Sequence, residues 1–270
     1  WANPKQFYLD EDLNPIEVAG CPPDGFSADG QLWGNPLFRW DVMREDGYSW
    51  WTMRLRKMST LYDVIRIDHF RGFDSYYAIP GKDTTARNGV WRNGPGMELF
   101  RAVEEKLGKP DIIVEDLGFL TPSVLQLVAD SGYPGMKVVQ FAFDSRDDSD
   151  YMPHNYDKHC VVYTGTHDND TILGWMKQAP KNSVKKAKEY LRMTKEEGYN
   201  WGMMCGAWMS SANLAVVTMQ DLIGLGSSAR MNVPSTLGGN WTWRALPGQI
   251  NAPLANKLHH KTELYGRLRR

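Results

Sequence analysis

Three acidic residues follow short apolar runs, at positions where their carboxylates could take part in catalysis. Asp68 lies in RIDHFRGF (66–73), Glu115 in DIIVEDLG (111–118), and Asp168 in TGTHDNDT (164–171). Each apolar run is typical of a buried β-strand, so each acid is predicted to lie at or just beyond the carboxyl end of a strand. Active sites of parallel α/β folds are assembled at that edge. We therefore expect the three carboxylates to converge on one pocket.

Several carboxylates without a metal-binding motif indicate chemistry at a glycosidic bond, which needs one ionised and one protonated carboxyl group. Arg66 shares a strand face with Asp68, and a cation there keeps Asp68 charged, as a nucleophile requires. Glu115 follows an apolar run without an adjacent cation, so its pKa should be raised and it is predicted to be the general acid/base. Asp168 and His167 are then predicted to bind the sugar hydroxyls.

The rest of the pattern alternates between strands and amphipathic helices, which predicts parallel βαβ units and an α/β fold. The 74–96 stretch is predicted to be a long loop. Strands are predicted at 61–68, 111–115, 135–143, 160–165 and 214–217, and helices at 50–58, 97–107, 121–131, 181–193 and 200–211.

About five strands are predicted, whereas a closed (β/α)8 barrel has eight. The chain is therefore predicted to form the C-terminal portion of one TIM barrel. This barrel is predicted to be incomplete in the chain, because its first three strands are absent. A doubly wound open sheet is the alternative, and it is disfavoured because no G-x-G-x-x-G motif follows a strand.

Composition excludes several function classes. The chain has 270 residues, 42% of them hydrophobic, and a formal net charge of −1, so nothing favours nucleic acid or an anionic membrane as a partner. Its apolar runs are too short to span a bilayer. The three cysteines form no paired motif, which is typical of a cytoplasmic protein. The 11 tryptophans and 12 tyrosines are compatible with core packing and with stacking on sugar rings.

The acid-bearing motifs RIDHFRGF, EDLG and TGTHDNDT, in this order, resemble those of the 4-α-glucanotransferases of glycoside hydrolase family 77, the amylomaltases or disproportionating enzymes of the α-amylase clan. The resemblance extends over essentially the whole chain. It includes AGCPPDGFSADGQLWGNP (19–36), PGMKVVQFAF (134–143), PHNY (153–156), ARMNVP (229–234) and GNWTWR (239–244).

The resemblance implies a transferase that moves α-1,4-glucan segments from maltooligosaccharide, starch or glycogen donors and needs no metal or organic cofactor. It implies the same roles for the three acids: Asp68 as nucleophile, Glu115 as acid/base and Asp168 as transition-state stabiliser. The substrate-binding residues that it implies are Arg66, His69, His167, Asp24, Gln31, Trp33, Asn35 and Asn232. Gly25 departs from the aromatic residue that many members carry after Pro-Pro-Asp, and the loss of this bulky group is expected to affect acceptor preference and product size.

For domain organisation, residues 1–270 are predicted to be the C-terminal portion of a single catalytic barrel, with a lid loop at 19–36 and a helical insertion at 180–212. Activity is predicted to require the missing N-terminal barrel strands, so the isolated chain is expected to be poorly folded and weakly active. Two other functions remain open. One is an α-glucan hydrolase of the same clan, and the other is a non-catalytic glucan-binding fragment.

Overall fold

The computed structural model describes residues 2–23, 27–118, 120–143, 150–234 and 236–268. The chain divides into two compact units, Trp1–Gly135 and Met136–Arg270. Each unit has its own apolar core.

The first unit combines a parallel strand pair with a separate antiparallel sheet. Its strands are β1 (Glu17–Cys21), β2 (Gln31–Pro36), β3 (Ile65–Ile67), β4 (Ser75–Pro80), β5 (Val90–Asn93) and β6 (Ile112–Val114), and its helices are α1 (Trp40–Glu45), α2 (Ser49–Ser59), α3 (Met97–Leu107) and α4 (Pro122–Ser131). β3 and β6 are parallel, with Ile65 opposite Ile112 and Ile67 opposite Val114. The antiparallel sheet has the order β2-β1-β4-β5.

The helices of the first unit follow the predicted pattern. α3 buries Leu99 and Val103 on one face, together with Phe100. α4 begins as predicted, because the Thr121 hydroxyl accepts a hydrogen bond from the Val124 amide and Pro122 occupies the first helical position. Both helices pack with β3 and β6 around one core. This core supports the two strands that carry Asp68 and Glu115.

Two expectations for the first unit are wrong in detail. The 74–96 segment is not a loop, because it contains β4 and β5, and Tyr77 and Ile79 of β4 form a small apolar cluster with Val18. The predicted 61–68 strand is shorter and spans only Ile65–Ile67. Its apolar lead-in is exposed, and hydropathy alone cannot distinguish such residues from a buried strand.

The second unit has a three-stranded sheet of order β7-β8-β9 and several helices. Its strands are β7 (Gly135–Val138), β8 (Cys160–Tyr163) and β9 (Leu214–Val216), and its helices are α5 (Ile172–Gln178), α6 (Lys181–Tyr190), α7 (Tyr199–Met209), α8 (Met219–Ile223) and α9 (Ala252–Leu264). β8 and β9 are parallel, with Val161 opposite Leu214. The predicted 135–143 strand ends early, because 139–143 forms a 3-10 helix.

α7 is the central helix of the second unit. Every residue from Asn200 to Trp208 is buried, as expected for a helix that is apolar on all sides. The guanidinium of Arg267, which follows α9, donates to the carbonyls of Trp208, Ser210 and Ala212 at 3.0, 2.8 and 2.6 Å. This side chain satisfies one carbonyl in the last turn of α7, a turn whose carbonyls the helix itself leaves without partners, and two carbonyls in the residues that follow it.

The α/β class is as predicted, since parallel strands alternate with helices in both units. In the part of the chain that the structure describes, Cys21, Cys160 and Cys205 are not joined by a disulfide. Within the described ranges, no helix combines the length and apolarity needed to cross a membrane.

Candidate active site

The parallel pair of β3 and β6 brings Asp68 and Glu115 to the same edge of the first unit. Each acid directly follows its strand, and hydrogen bonding between the two segments continues past the strand ends. The Glu115 amide donates to the Ile67 carbonyl, and the Phe70 amide donates to the Glu115 carbonyl, both at 2.9 Å. The predicted placement of these two acids is therefore confirmed.

The Glu115 carboxylate is held by two main-chain amides. The His69 amide donates to Oε2 at 2.7 Å, and the Leu117 amide donates to Oε1 at 2.9 Å. Burial raises the pKa of Glu115 and outweighs these two amides, which favour the ionised form, while the charge of Asp68 raises it further and Arg66 opposes. A carboxyl group whose pKa is raised holds its proton to higher pH, as a general acid requires.

Asp68 has a different environment. Its side chain is 76% exposed, and Arg66 Nη1 lies 2.9 Å from its Oδ1. The expected contact between these two residues of one strand face is thus present. The site thus pairs an exposed acid in contact with a guanidinium and a partly buried acid held by main-chain amides.

The 19–36 segment contains most of β1 and all of β2, which pair antiparallel, and Gln31, Trp33 and Asn35 lie in β2. The Trp33 indole donates to Gln31 Oε1 at 3.1 Å, and its ring meets the His69 ring edge-on with centroids 4.8 Å apart. Asn35 is exposed. Burial lowers the pKa of His69, so a neutral imidazole is favoured there. Of the residues predicted in this segment, Asp24 lies outside the described residues, as does Gly25.

A second cluster lies in the second unit and contains the remaining predicted residues. Asn232 Nδ2 donates to Asp168 Oδ1 at 2.6 Å, and His167 Nε2 lies 3.3 Å from Asp168 Oδ2. The Asn232 amide donates to the His167 carbonyl at 3.0 Å. Trp241 lies against the His167 ring, with centroids 5.1 Å apart. The motifs around 167 and 232 are therefore neighbours in space.

Three further residues near these clusters are not among the predicted site residues. Arg230 donates to the main-chain carbonyls of Asp168 and Asn232 at 2.5 and 2.8 Å. In the first unit, the guanidinium of Arg71 lies over the Trp91 ring, 4.0 Å from its centroid. The position of Arg230 inside the ARMNVP motif was the available signal for it, whereas no local pattern singles out Trp91.

The predicted residues thus form two groups, each within one unit. Asp68, Glu115, Arg66, His69, Gln31, Trp33 and Asn35 belong to the first unit, and His167, Asp168 and Asn232 to the second. Among the residues that the structure describes, no three His, Cys, Asp or Glu side chains are arranged to hold a metal ion. What the clusters offer is acids of contrasting environment, a guanidinium, imidazoles and exposed tryptophans.

Carboxylates at the ends of parallel strands, beside aromatic side chains, are typical of enzymes that act on glycosidic bonds. The family model of 4-α-glucanotransferase matches residues 1–249. The chain belongs to the 4-α-glucanotransferase family.

The relatives agree with this assignment. The 4-α-glucanotransferase of Clostridium butyricum is 49% identical over 269 residues, which cover 99% of this chain and 55% of the relative. The enzyme of the same name from Streptococcus pneumoniae is 47% identical, with 99% and 53% covered. Among solved structures, amylomaltase from Streptococcus agalactiae in complex with acarbose superposes with a TM-score of 0.96 at 38% identity, covering 100% of this chain and 55% of that one. The chain spans about half the length of the curated relatives it matches.

Proposed function

We propose that the protein is a retaining 4-α-glucanotransferase that moves α-1,4-glucan segments to the 4-hydroxyl of an acceptor sugar through a covalent glycosyl-enzyme. The contrast between the two acids of the first unit carries this proposal. Burial raises the pKa of Glu115, whereas Asp68 is exposed and paired with Arg66. Retaining glycosidases need one carboxyl group to hold a proton and another to be ionised. The names of the relatives support the transferase class.

In the first step, Asp68 attacks the anomeric carbon and Glu115 gives its proton to the glycosidic oxygen. The bond from that carbon to the glycosidic oxygen breaks, a bond from the carbon to the Asp68 carboxylate forms, and the rest of the donor leaves as an alcohol. In the second step, Glu115 takes the proton of the acceptor hydroxyl. The acceptor oxygen attacks the anomeric carbon, the ester bond to Asp68 breaks, and an α-1,4 bond forms.

Asp168 is proposed to stabilise the positive charge that develops on the sugar ring, with His167 and Asn232 binding ring hydroxyls. The hydrogen bond from Asn232 to Asp168 supports this role, because it fixes one carboxylate oxygen and orients the other. Arg66 and His69 are proposed to bind the sugar that becomes attached to Asp68, since both lie beside that residue.

The 19–36 segment is proposed to cover the bound sugar and favour transfer over hydrolysis. A retaining glycosyl-enzyme is released by water or by a sugar hydroxyl, and excluding water favours the sugar. The contact of Trp33 with His69 supports this role for Gln31, Trp33 and Asn35, and Asp24 is assigned to it from the family resemblance alone.

The finer fold assignment is also a proposal. The parallel pair β3–β6 and the sheet β7-β8-β9 are proposed to belong to one (β/α)8 barrel in a cytoplasmic protein, with the remaining strands supplied by the rest of the enzyme. The exposure of two apolar side chains of the edge strand β9 supports this proposal, because Leu214 is 47% and Val216 36% exposed. Strands of a parallel sheet are normally buried on both faces, so these side chains are expected to be covered in the complete barrel.

The proposal is tested by incubating the full-length protein with maltotriose. Transfer releases glucose and longer maltooligosaccharides while the number of reducing ends stays constant. A steady rise in reducing ends would assign hydrolysis instead, and unchanged maltotriose with measurable glucan binding would indicate a binding protein. The Asp68→Asn variant serves as the control that should bind glucan without turning it over.

A further inference from the structure

Asp221 is a buried carboxylate that has no part in the proposed reaction. It lies in the first turn of α8, and its side chain is 1% exposed. Removing a carboxylate from water costs free energy unless hydrogen bonds compensate it. Its hydrogen-bond partners therefore indicate what this residue does.

The two oxygens of Asp221 accept hydrogen bonds from the two ends of one loop. The Thr164 hydroxyl donates to Oδ2 at 3.1 Å, and the Ile172 amide donates to Oδ1 at 2.7 Å. Thr164 directly follows β8 and Ile172 is the first residue of α5, so the two residues bracket the segment that carries Asp168. We refer to residues 164–172 as the Asp168 loop.

Asp221 is itself anchored in the core of the second unit. The Asn200 side chain, on the buried helix α7, donates to the Asp221 carbonyl at 2.7 Å, and the Asp221 amide donates to the Thr218 hydroxyl at 3.2 Å. Asn200 is 7% exposed and Thr164 0%. The carboxylate therefore connects the loop to rigid, buried elements.

Hydrogen bonds within the loop set its local shape but not its position. Asn169 Oδ1 accepts from the amide and the hydroxyl of Thr166 at 2.8 and 2.9 Å. These bonds move with the loop. The bonds to Asp221 hold its two ends against α8, while Arg230 and Asn232 contact its middle at Asp168. A side chain must be held within a fraction of an ångström to stabilise a transition state.

We propose that Asp221 is a positioning residue for Asp168: by binding both ends of the Asp168 loop, it places that carboxylate for catalysis. The inference rests on the proposed function, because Asp168 is assigned to the reaction there. Asp221 does not touch the sugar in this proposal and acts only through the loop.

The test compares Asp221→Ala and Asp221→Asn in the full-length protein, with Arg267→Ala as a variant that weakens the same unit away from the loop. With maltotriose, Asp221→Ala should lower kcat by about 100-fold while KM stays within about threefold, because a displaced group costs transition-state stabilisation. Asp221→Asn should recover most of this loss, since its amide oxygen still accepts from Ile172 and its NH2 group can donate to the Thr164 hydroxyl. Arg267→Ala should leave kcat unchanged at temperatures where it is folded.

A double-mutant cycle separates positioning from general stability. If Asp221 acts through Asp168, the Asp168→Ala/Asp221→Ala double variant should be no slower than Asp168→Ala alone. Losses that multiply, or a fall in kcat that Arg267→Ala reproduces at equal loss of stability, would overturn the proposal.

Hydrogen exchange of the amides at 165–171 gives a readout that does not depend on turnover. Asp221→Ala should speed exchange in this segment, and Asp221→Asn should do so far less. If the wild-type protein fails to transfer glucan while this exchange pattern holds, the proposed function fails and the anchoring of the loop stands. If exchange in the segment is unchanged in Asp221→Ala, the positioning proposal fails whatever the activity.

Discussion

At the scale of single residues, the two acids of the first unit differ mainly in what surrounds them. Glu115 receives two main-chain amides and is partly buried, whereas Asp68 is exposed beside a guanidinium. The amides alone would favour the ionised form of Glu115, but burial has the larger effect on its pKa. Two residues of similar chemistry therefore lie in contrasting environments, which is what the proposed reaction asks of them.

Changing the leaving group of the donor should separate the roles of these two acids. With maltotriose, Glu115→Gln should lower kcat by about 10²–10⁴-fold, because no proton reaches the leaving oxygen. With α-maltosyl fluoride, whose fluoride leaves without protonation, formation of the glycosyl-enzyme by Glu115→Gln should remain within about tenfold of wild type. The burst of fluoride release measures this step.

The matched variant Asp68→Asn should be inactive with both donors, losing about 10⁴-fold or more, because it lacks the nucleophile. Fluoride release by Asp68→Asn at a near wild-type rate would show that another group attacks the anomeric carbon.

The raised pKa of Glu115 also sets a pH dependence. The acid form is needed, so kcat/KM should fall as the pH rises through the pKa of Glu115, which lies above its ordinary value of 4.5. Arg66 lowers this pKa, so Arg66→Gln should move the basic limb to higher pH, along with any loss of rate. The measurement is a pH profile of kcat/KM for both proteins. A basic limb that moves to lower pH would contradict the assignment.

Side-chain contacts between residues close in sequence could be predicted from the sequence, whereas contacts between residues far apart in sequence could not. Arg66 and Asp68 are two positions apart on one strand, and their contact follows from strand geometry. Arg230 lies 62 positions from Asp168, and Asp221 lies 57 from Thr164. Only the folded arrangement of the second unit brings them together, and no local pattern indicates it.

At the scale of elements, α9 and the residues after it fasten the buried helix α7. Lys261 forms an ion pair with Glu197, which precedes α7, and Lys257 donates to the Glu197 carbonyl at 3.0 Å. Arg267 binds carbonyls at the opposite end of α7. Cations therefore hold α7 at both of its ends.

Removing the Arg267 guanidinium should be costly for stability. Arg267→Ala leaves three carbonyls, in the last turn of α7 and just after it, without this donor, and we expect a loss of about 2–4 kcal/mol in the free energy of unfolding. Arg244 is a suitable control, because it is exposed and donates to the nearby carbonyls of Trp241 and Trp243. Arg244→Ala should change stability by about 0.5 kcal/mol or less. Urea denaturation measures both, and equal losses would argue against the fastening role.

Elements with a strong apolar period were predicted well, and elements that depend on their neighbours were not. α3 and α4 match their predicted spans because their buried faces and the Thr121 cap are local signals. β5 is exposed along its whole length, so its sequence has no buried face to reveal it. It exists because it pairs with β4.

At the scale of the whole molecule, each unit has a separate core and carries part of the predicted catalytic set. Neither unit alone contains all three acids. The proposed reaction therefore needs both units, whereas the stability of each core depends mainly on its own packing.

The barrel proposal predicts that residues 1–270, expressed alone, transfer glucan poorly. Strands that lack their neighbours expose apolar side chains and free backbone groups, which favours aggregation. We expect the turnover of maltotriose to be at least about 10²-fold below that of the full-length protein, because misplaced catalytic groups lose transition-state stabilisation. Kinetic assays together with size-exclusion chromatography check this. A monomeric 1–270 chain with full activity would contradict the prediction.

The main-chain amide of His69, in a residue whose φ of 47° is left-handed, has a consequence for how this site tolerates mutation. The donor to the Glu115 carboxylate is a backbone N–H group, so replacing the imidazole of His69 leaves this donor in place. Only a substitution by proline removes it. The hydrogen bond to Glu115 therefore depends on the backbone conformation at residue 69 and not on which side chain is present there. Substitution at position 69 can therefore change the side chain that meets Trp33 while the hydrogen bond to the Glu115 carboxylate persists, whereas an insertion or deletion between Ile67 and Phe70 would abolish that bond.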